Sequence, residues 1–123
     1  MKIPILRLKD ILLTSIQMDL TDNEAIDFQE DVLRTVSETE AKGIVIDIMA
    51  MDVVDSFLAR VINDIANMVS LLGTQVVVCG VQPSVALTLI EMGRDLIGIE
   101  TALNLDQAIV KLQRLIEERE MRP

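Results

Sequence analysis

Two runs of β-branched residues, GIVIDI (43–48) and QVVVCG (75–80), constrain this chain more than any other feature. Each is nearly continuous in apolar residues rather than alternating, the mark of a strand buried on both faces. Between them lies SFLARVINDIANMVSLLG (56–73), where Leu58, Val61, Ile62, Ile65, Val69 and Leu72 recur at helical spacing and define a core-facing side. Strand, helix and strand in this order form a crossover unit, and such units build parallel sheets covered by helices.

The flanking segments extend that unit. IPILRL (3–8) and ILLTSI (11–16), separated by Lys9-Asp10, read as two adjoining strands. Thr21 and Glu24 have the spacing of a capping box. The helix they open carries Ala25, Phe28, Val32 and Val36 on one face and is predicted to end near Gly43. Gly73 closes the helix that starts at Ser56. Pro83 suits the first turn of the next helix, where its missing N–H costs nothing, and Gly93 ends it. LIGIE (96–100) is the expected final strand. Asn104 and Gln107 repeat the capping pattern ahead of a last helix with Leu105, Ala108, Ile109, Leu112 and Leu115 on its inner side. The expectation is one α/β domain over residues 1–118, with a mostly parallel sheet and about four helices, and a flexible tail over 119–123. A chain of 123 residues suits one core better than two.

Composition removes several function classes. Half of the residues are hydrophobic, but Phe28 and Phe57 are the only aromatics, so the core must be aliphatic. The formal charge of −9 disfavours nucleic-acid phosphates and anionic lipid, and stacking platforms are missing. No apolar run approaches the ~18 residues of a membrane helix, and MKIPILRLKD lacks the apolar centre of a signal peptide. A cytoplasmic protein with protein partners is expected. Its apolar content also favours self-association. With no histidine, neither a Ser–His–Asp arrangement nor a zinc site can be assembled around the single Cys79, which reads as a core residue. No GxxxxGK[ST] or GxGxxG motif occurs. The chain is expected to be no enzyme and to carry no cofactor or metal. Asp47, inside a buried strand pattern, is expected to accept hydrogen bonds at the strand end.

One stretch, VVDSFLAR (53–60), remains to be explained. Ser56, Arg60, Asn63, Asn67 and Ser70 form a polar stripe along the helix, headed by Ser56, with Asp55 as the N-cap. A phosphoryl group on Ser56 would meet the positive end of the helix dipole, with Arg60 one turn on as an ion-pair partner. From spacing alone a plain helix cap explains Asp55-Ser56 equally, and more commonly.

The segments FQEDVL (28–33), VIDIMAMDVVDSFLAR (45–60), GVQPSVALTLIEMG (80–93) and ETALNLDQ (100–107) resemble the STAS-domain family of anti-sigma-factor antagonists, from about KIPILRL to LDQAIVKL. Direct antagonists of that family usually follow the phosphorylated serine with a small hydroxyl residue and glycine. Here Phe57 and Leu58 stand instead, similar to the stressosome branch. The resemblance implies a non-enzymatic scaffold subunit of a bacterial stress-signalling complex. Its partners would be larger STAS-domain paralogues (RsbR type), a serine/threonine switch kinase (RsbT type) that the scaffold sequesters, and a phosphatase (RsbX type). It implies phosphorylation at Ser56, a switch face including Asp55, Phe57, Arg60 and Asn63, and a weaker second position at Thr88, on the polar Ser84/Thr88/Glu91 face of its helix. Two alternatives stay open: a direct antagonist that binds an anti-sigma kinase, and a small anion- or nucleotide-binding domain using the turn Gly80-Val81-Gln82-Pro83.

Overall fold

The computed structural model describes residues 3–17, 20–52, 54–93 and 99–121. Strands β1 (Ile5–Leu8) and β2 (Ile11–Ser15) form an antiparallel hairpin turned by Lys9, which adopts a left-handed φ of 56°. From β2 onward every neighbour is parallel: β3 (Gly43–Asp47), β4 (Gln75–Cys79) and β5 (Glu100–Ala102). The sheet order β1-β2-β3-β4-β5 is sequential. Each parallel step is bridged by a helix: α1 (Asp22–Thr39), α2 (Ser56–Leu71) and α3 (Pro83–Glu91). A fourth helix, α4 (Leu105–Glu120), follows β5.

The helices divide three to one. Ile44, Ile46, Val76 and Val78 turn toward α1, α2 and α3, joining Phe28, Val32, Leu58, Ile62, Ile65 and Val85 in the larger core. The alternate residues, Val45, Val77 and Cys79, meet Ala108, Leu112 and Ile116 of α4 on the other face. Strands β3 and β4 are therefore covered on both sides, which is why their sequences do not alternate. Burying these aliphatic side chains contributes roughly 1.5–3 kcal/mol for each fully enclosed Val, Leu or Ile, offset by the conformational entropy lost on folding.

Several boundaries differ from expectation. Helix α1 stops at Thr39 rather than near Gly43, because Glu40 takes the left-handed cap position with φ 52°. Gly43 instead opens β3, where its missing side chain admits α4: a Cβ there would lie 2.6 Å from Leu112 Cδ1. The last strand occupies Glu100–Ala102 rather than 96–100, in register with Val77, Val78 and Cys79. Residues 96–98 of the expected run lie outside the described residues. Leu72 caps α2 and is 55% exposed, and Leu105 at the start of α4 is 37% exposed, so neither belongs to the core. Helix α4 continues through Glu120, past the expected end of the domain. Its last turn is held there, because Arg119 Nη1 donates to Gly73 O and Lys42 Nζ pairs with Glu120.

Candidate switch site at the head of α2

Parallel strands end on one edge of the sheet, so the segments leaving β2, β3 and β4 lie side by side, each leading into a helix on the same face. The segment leaving β3 carries the candidate serine. Asp47, at the strand end, accepts from Met49 N at 2.9 Å, as expected of an acid in that place. Ile48 N donates to Cys79 O and Met51 N donates to Ile48 O, both at 3.0 Å. Met51 and Val54 are buried and anchor the loop, while Asp52, Asp55 and Ser56 are exposed. Val53 lies outside the described residues.

Asp55 is the N-cap of α2. Its backbone is extended (φ −83°, ψ 174°), its Oδ1 accepts from Leu58 N at 2.8 Å, and its carbonyl accepts from Ala59 N at 3.0 Å. Ser56 is thus the first helical residue, with its hydroxyl on the solvent side. Arg60, Asn67 and Ser70 continue the exposed stripe, and Asn63 on the same stripe is half-buried. Arg60 makes no ion pair within 4 Å among the described residues, leaving its guanidinium available to an added anion. Phe57 is half-buried against the larger core, so only part of its ring can reach a partner. Asp55, Ser56, Phe57 and Arg60 share the first turn and a half of one helix, with Asn63 on the following turn.

Thr88 stands apart from this cluster. It is half-buried on α3 and its Oγ1 donates to Ser84 O at 3.0 Å, the back-bond of an ordinary helical threonine. The turn at Gly80 also has a structural purpose. Gly80 has φ +75°, and a Cβ there would lie 2.6 Å from Met49 Cβ and 2.8 Å from Met49 Cα and N. The space its missing side chain leaves is filled by the neighbouring loop.

Chemistry elsewhere is sparse. Burial pushes the Cys79 thiol up to about 12, with the nearby Asp47 carboxylate adding to the effect, so it stays protonated and a poor nucleophile. Among the described residues there is no group of three or more His, Cys, Asp or Glu placed to hold a metal ion. No described helix is long and apolar enough to cross a membrane. Two side chains with no signal in the sequence touch the loop before α2: Gln82 Nε2 donates to Met49 O at 2.5 Å, and Ser84 Oγ donates to Asp52 O at 2.8 Å. Each joins residues more than thirty positions apart, and only the adjacency of β3 and β4 brings them together.

The STAS domain model matches residues 2–108. The chain belongs to the STAS domain family. Among solved structures, this STAS chain is similar to a serine-to-glutamate variant of RsbS from Moorella thermoacetica. The two are 42% identical with a TM-score of 0.87, over 95% of this chain and 99% of that one. It is also similar to a chain from a structure described as the molecular architecture of the stressosome, a signal integration and transduction hub. There the identity is 45% and the TM-score 0.82, over 91% and 97% of the two chains. Among curated proteins it is 32% identical to the RsbT co-antagonist protein RsbRA of Bacillus subtilis over 94 residues, 68% of this chain and 34% of that protein. RsbRD of the same organism is 27% identical over 89 residues, 72% of this chain and 32% of that protein. The chain therefore spans about a third of the length of these co-antagonists.

Proposed function

We propose that this protein is a non-enzymatic scaffold subunit of a stressosome, acting in the cytoplasm in a bacterial stress response. It would assemble with copies of itself and with larger STAS paralogues of the RsbR type. The observation that carries this reading is the end-to-end likeness to RsbS, over 95% of this chain and 99% of the other. Likeness to a stressosome chain over 91% of this chain and to RsbR-type co-antagonists supports it further.

In this reading a switch kinase of the RsbT type is sequestered on the face around Ser56, phosphorylates that serine and leaves. A phosphatase of the RsbX type then restores the first state. The physical support is the character of the helix head. Phosphorylation adds about −1.5 to −2 charges at neutral pH. At Ser56 that charge arrives beside the exposed Asp52 and Asp55, on a helix end whose third N–H already serves Asp55. A surface fitted to the unmodified tip meets bulk and repulsion after modification, so the kinase's affinity falls without any catalytic group in this chain. Phe57, half-buried beside the serine, would set the apolar part of the contact, and Arg60 and Asn63 its polar margin.

Intact-mass measurement after incubation with an RsbT-type kinase and ATP tests the assignment. One phosphoryl group is expected on the wild type and none on Ser56→Ala, which still captures the kinase, while Ser56→Asp captures it more weakly. Phosphate on another residue with Ser56 untouched would remove Ser56 from the mechanism. Failure to form a large assembly with RsbR-type proteins would remove the scaffold reading.

A further inference from the structure

The loop that carries Ser56 is held from outside. Past Met51, its position depends on the burial of Val54 and on the bond from Ser84 Oγ to Asp52 O. Before Met51, Gln82 Nε2 grips the Met49 carbonyl, and the empty side-chain position of Gly80 lets the two backbones meet. Both grips come from the segment that leaves β4 and starts α3, where Gln82 is the N-cap and Pro83 and Ser84 begin the helix. Gln82 gives its own helix no side-chain capping bond, and its amide is committed to the neighbouring loop instead.

The two acids beside Ser56 are anchored unequally. Asp55's carboxylate is bound to Leu58 N. Among the described residues, Asp52's carboxylate has neither a hydrogen bond nor an ion pair. A new negative charge at Ser56 repels both, and the one free to yield is Asp52. Its carbonyl is the atom that Ser84 holds, and Ser84's own carbonyl accepts from Thr88 Oγ1 one turn further along α3.

We infer that Gln82 and Ser84 are positioning residues for Ser56, bracing its loop from α3 and passing a change of charge at Ser56 into the first turns of α3. The second half of this inference rests on the reading of Ser56 as a charge-switched residue; the bracing does not. Unmodified, the braces keep Ser56 at the head of a formed helix. With charge added, the Ser84–Asp52 bond opens and the start of α3 loosens, so a partner touching either helix sees the same event.

Hydrogen–deuterium exchange on the full chain tests both halves and needs no kinase, because Ser56→Asp supplies the charge. Gln82→Ala and Ser84→Ala together should raise exchange several-fold across 49–55 while α1 stays at wild-type protection. Ser84→Thr, which keeps a hydroxyl, should restore protection. In an otherwise wild-type chain Ser56→Asp should raise exchange at 86–88, where the first bonded amides of α3 lie, and in the Ser84→Ala background it should add nothing there. Unchanged protection at 49–55 in the doubly substituted chain, or in Gln82→Ala alone should the double variant fold poorly, would overturn the bracing. An equal response of α3 to Ser56→Asp with and without Ser84 would overturn the transmission. Absence of phosphate on Ser56 in the kinase experiment would count against the proposed function and leave the exchange result standing.

Discussion

The heads of α1 and α2 stand on the same edge of the sheet and solve the same problem by different means. At α1 the capping bonds are local and reciprocal. Thr21 Oγ1 accepts from Glu24 N at 3.2 Å and Glu24 Oε1 accepts from Thr21 N at 3.0 Å, so two residues three apart satisfy each other. At α2 only half of that reciprocity exists: Asp55 accepts from Leu58 N, and the residue three positions on is Leu58, with no side-chain group to return a bond. What holds the loop before α2 comes instead from Gln82 and Ser84. A reciprocal cap ties its helix start to residues of its own first turn. A cap whose loop leans on another element ties its helix start to that element, and this is the one that carries Ser56.

The largest expected effect that would break this contrast is at Gly80. Gly80→Ala must place a Cβ against Met49 backbone atoms at a left-handed φ, and should cost at least about 2 kcal/mol in chemical denaturation. Its loss of exchange protection should concentrate in 49–55 and spare α1. A uniform loss would mean that the two heads are not independent.

Next comes removal of the caps themselves. Thr21→Ala and Asp55→Ala should each cost about 1 kcal/mol, read by thermal or denaturant unfolding. Asp55→Asn keeps the acceptor and removes the charge, so it should stay near wild-type stability while reducing the penalty expected of Ser56→Asp on capture of the proposed kinase partner. If Asp55→Asn leaves that penalty unchanged, repulsion between Asp55 and the added charge is not what the partner senses.

The smallest effect is in pH dependence. The backbone N–H of Thr21 holds the Glu24 carboxyl below the ordinary value of 4.5, with the Thr21 hydroxyl side chain assisting. A carboxyl whose native pKa is depressed contributes stability above its unfolded pKa and loses it as pH falls through the native one. Glu24→Gln should therefore flatten the acid limb of the stability profile slightly below about pH 4.5. Because Glu24 is at the surface, added salt should shrink the difference.

How much of this was readable in the chain follows from where each signal originates. GIVID and QVVVC are continuous because both faces of β3 and β4 are covered, and that continuity is printed in the residues themselves. The caps at Thr21, Asp55 and Asn104 were equally plain, since each is satisfied within three residues. The three-to-one division of the helices was not, because an amphipathic stripe shows that a helix has a partner face but not which side of the sheet offers it. Glu40 was missed because it takes a left-handed cap that glycine usually fills, releasing Gly43 to admit Leu112. Ser56 stood out through its place at the top of a polar stripe. Its supports, Gln82 and Ser84, carry no local pattern and become meaningful only when two parallel strands set their outgoing loops side by side.

The last turn of α4 lies at the far end of the strands from Ser56, pinned where Lys42 enters β3 and Gly73 precedes β4. Met121, just beyond it, is 84% exposed. A surface linkage or a fluorescent reporter placed at Met121 would therefore grip the molecule by its pinned pole and leave the Ser56 pole clear. Binding of the proposed kinase partner could then be followed on the immobilised chain, one molecule at a time, without shielding the residues under test.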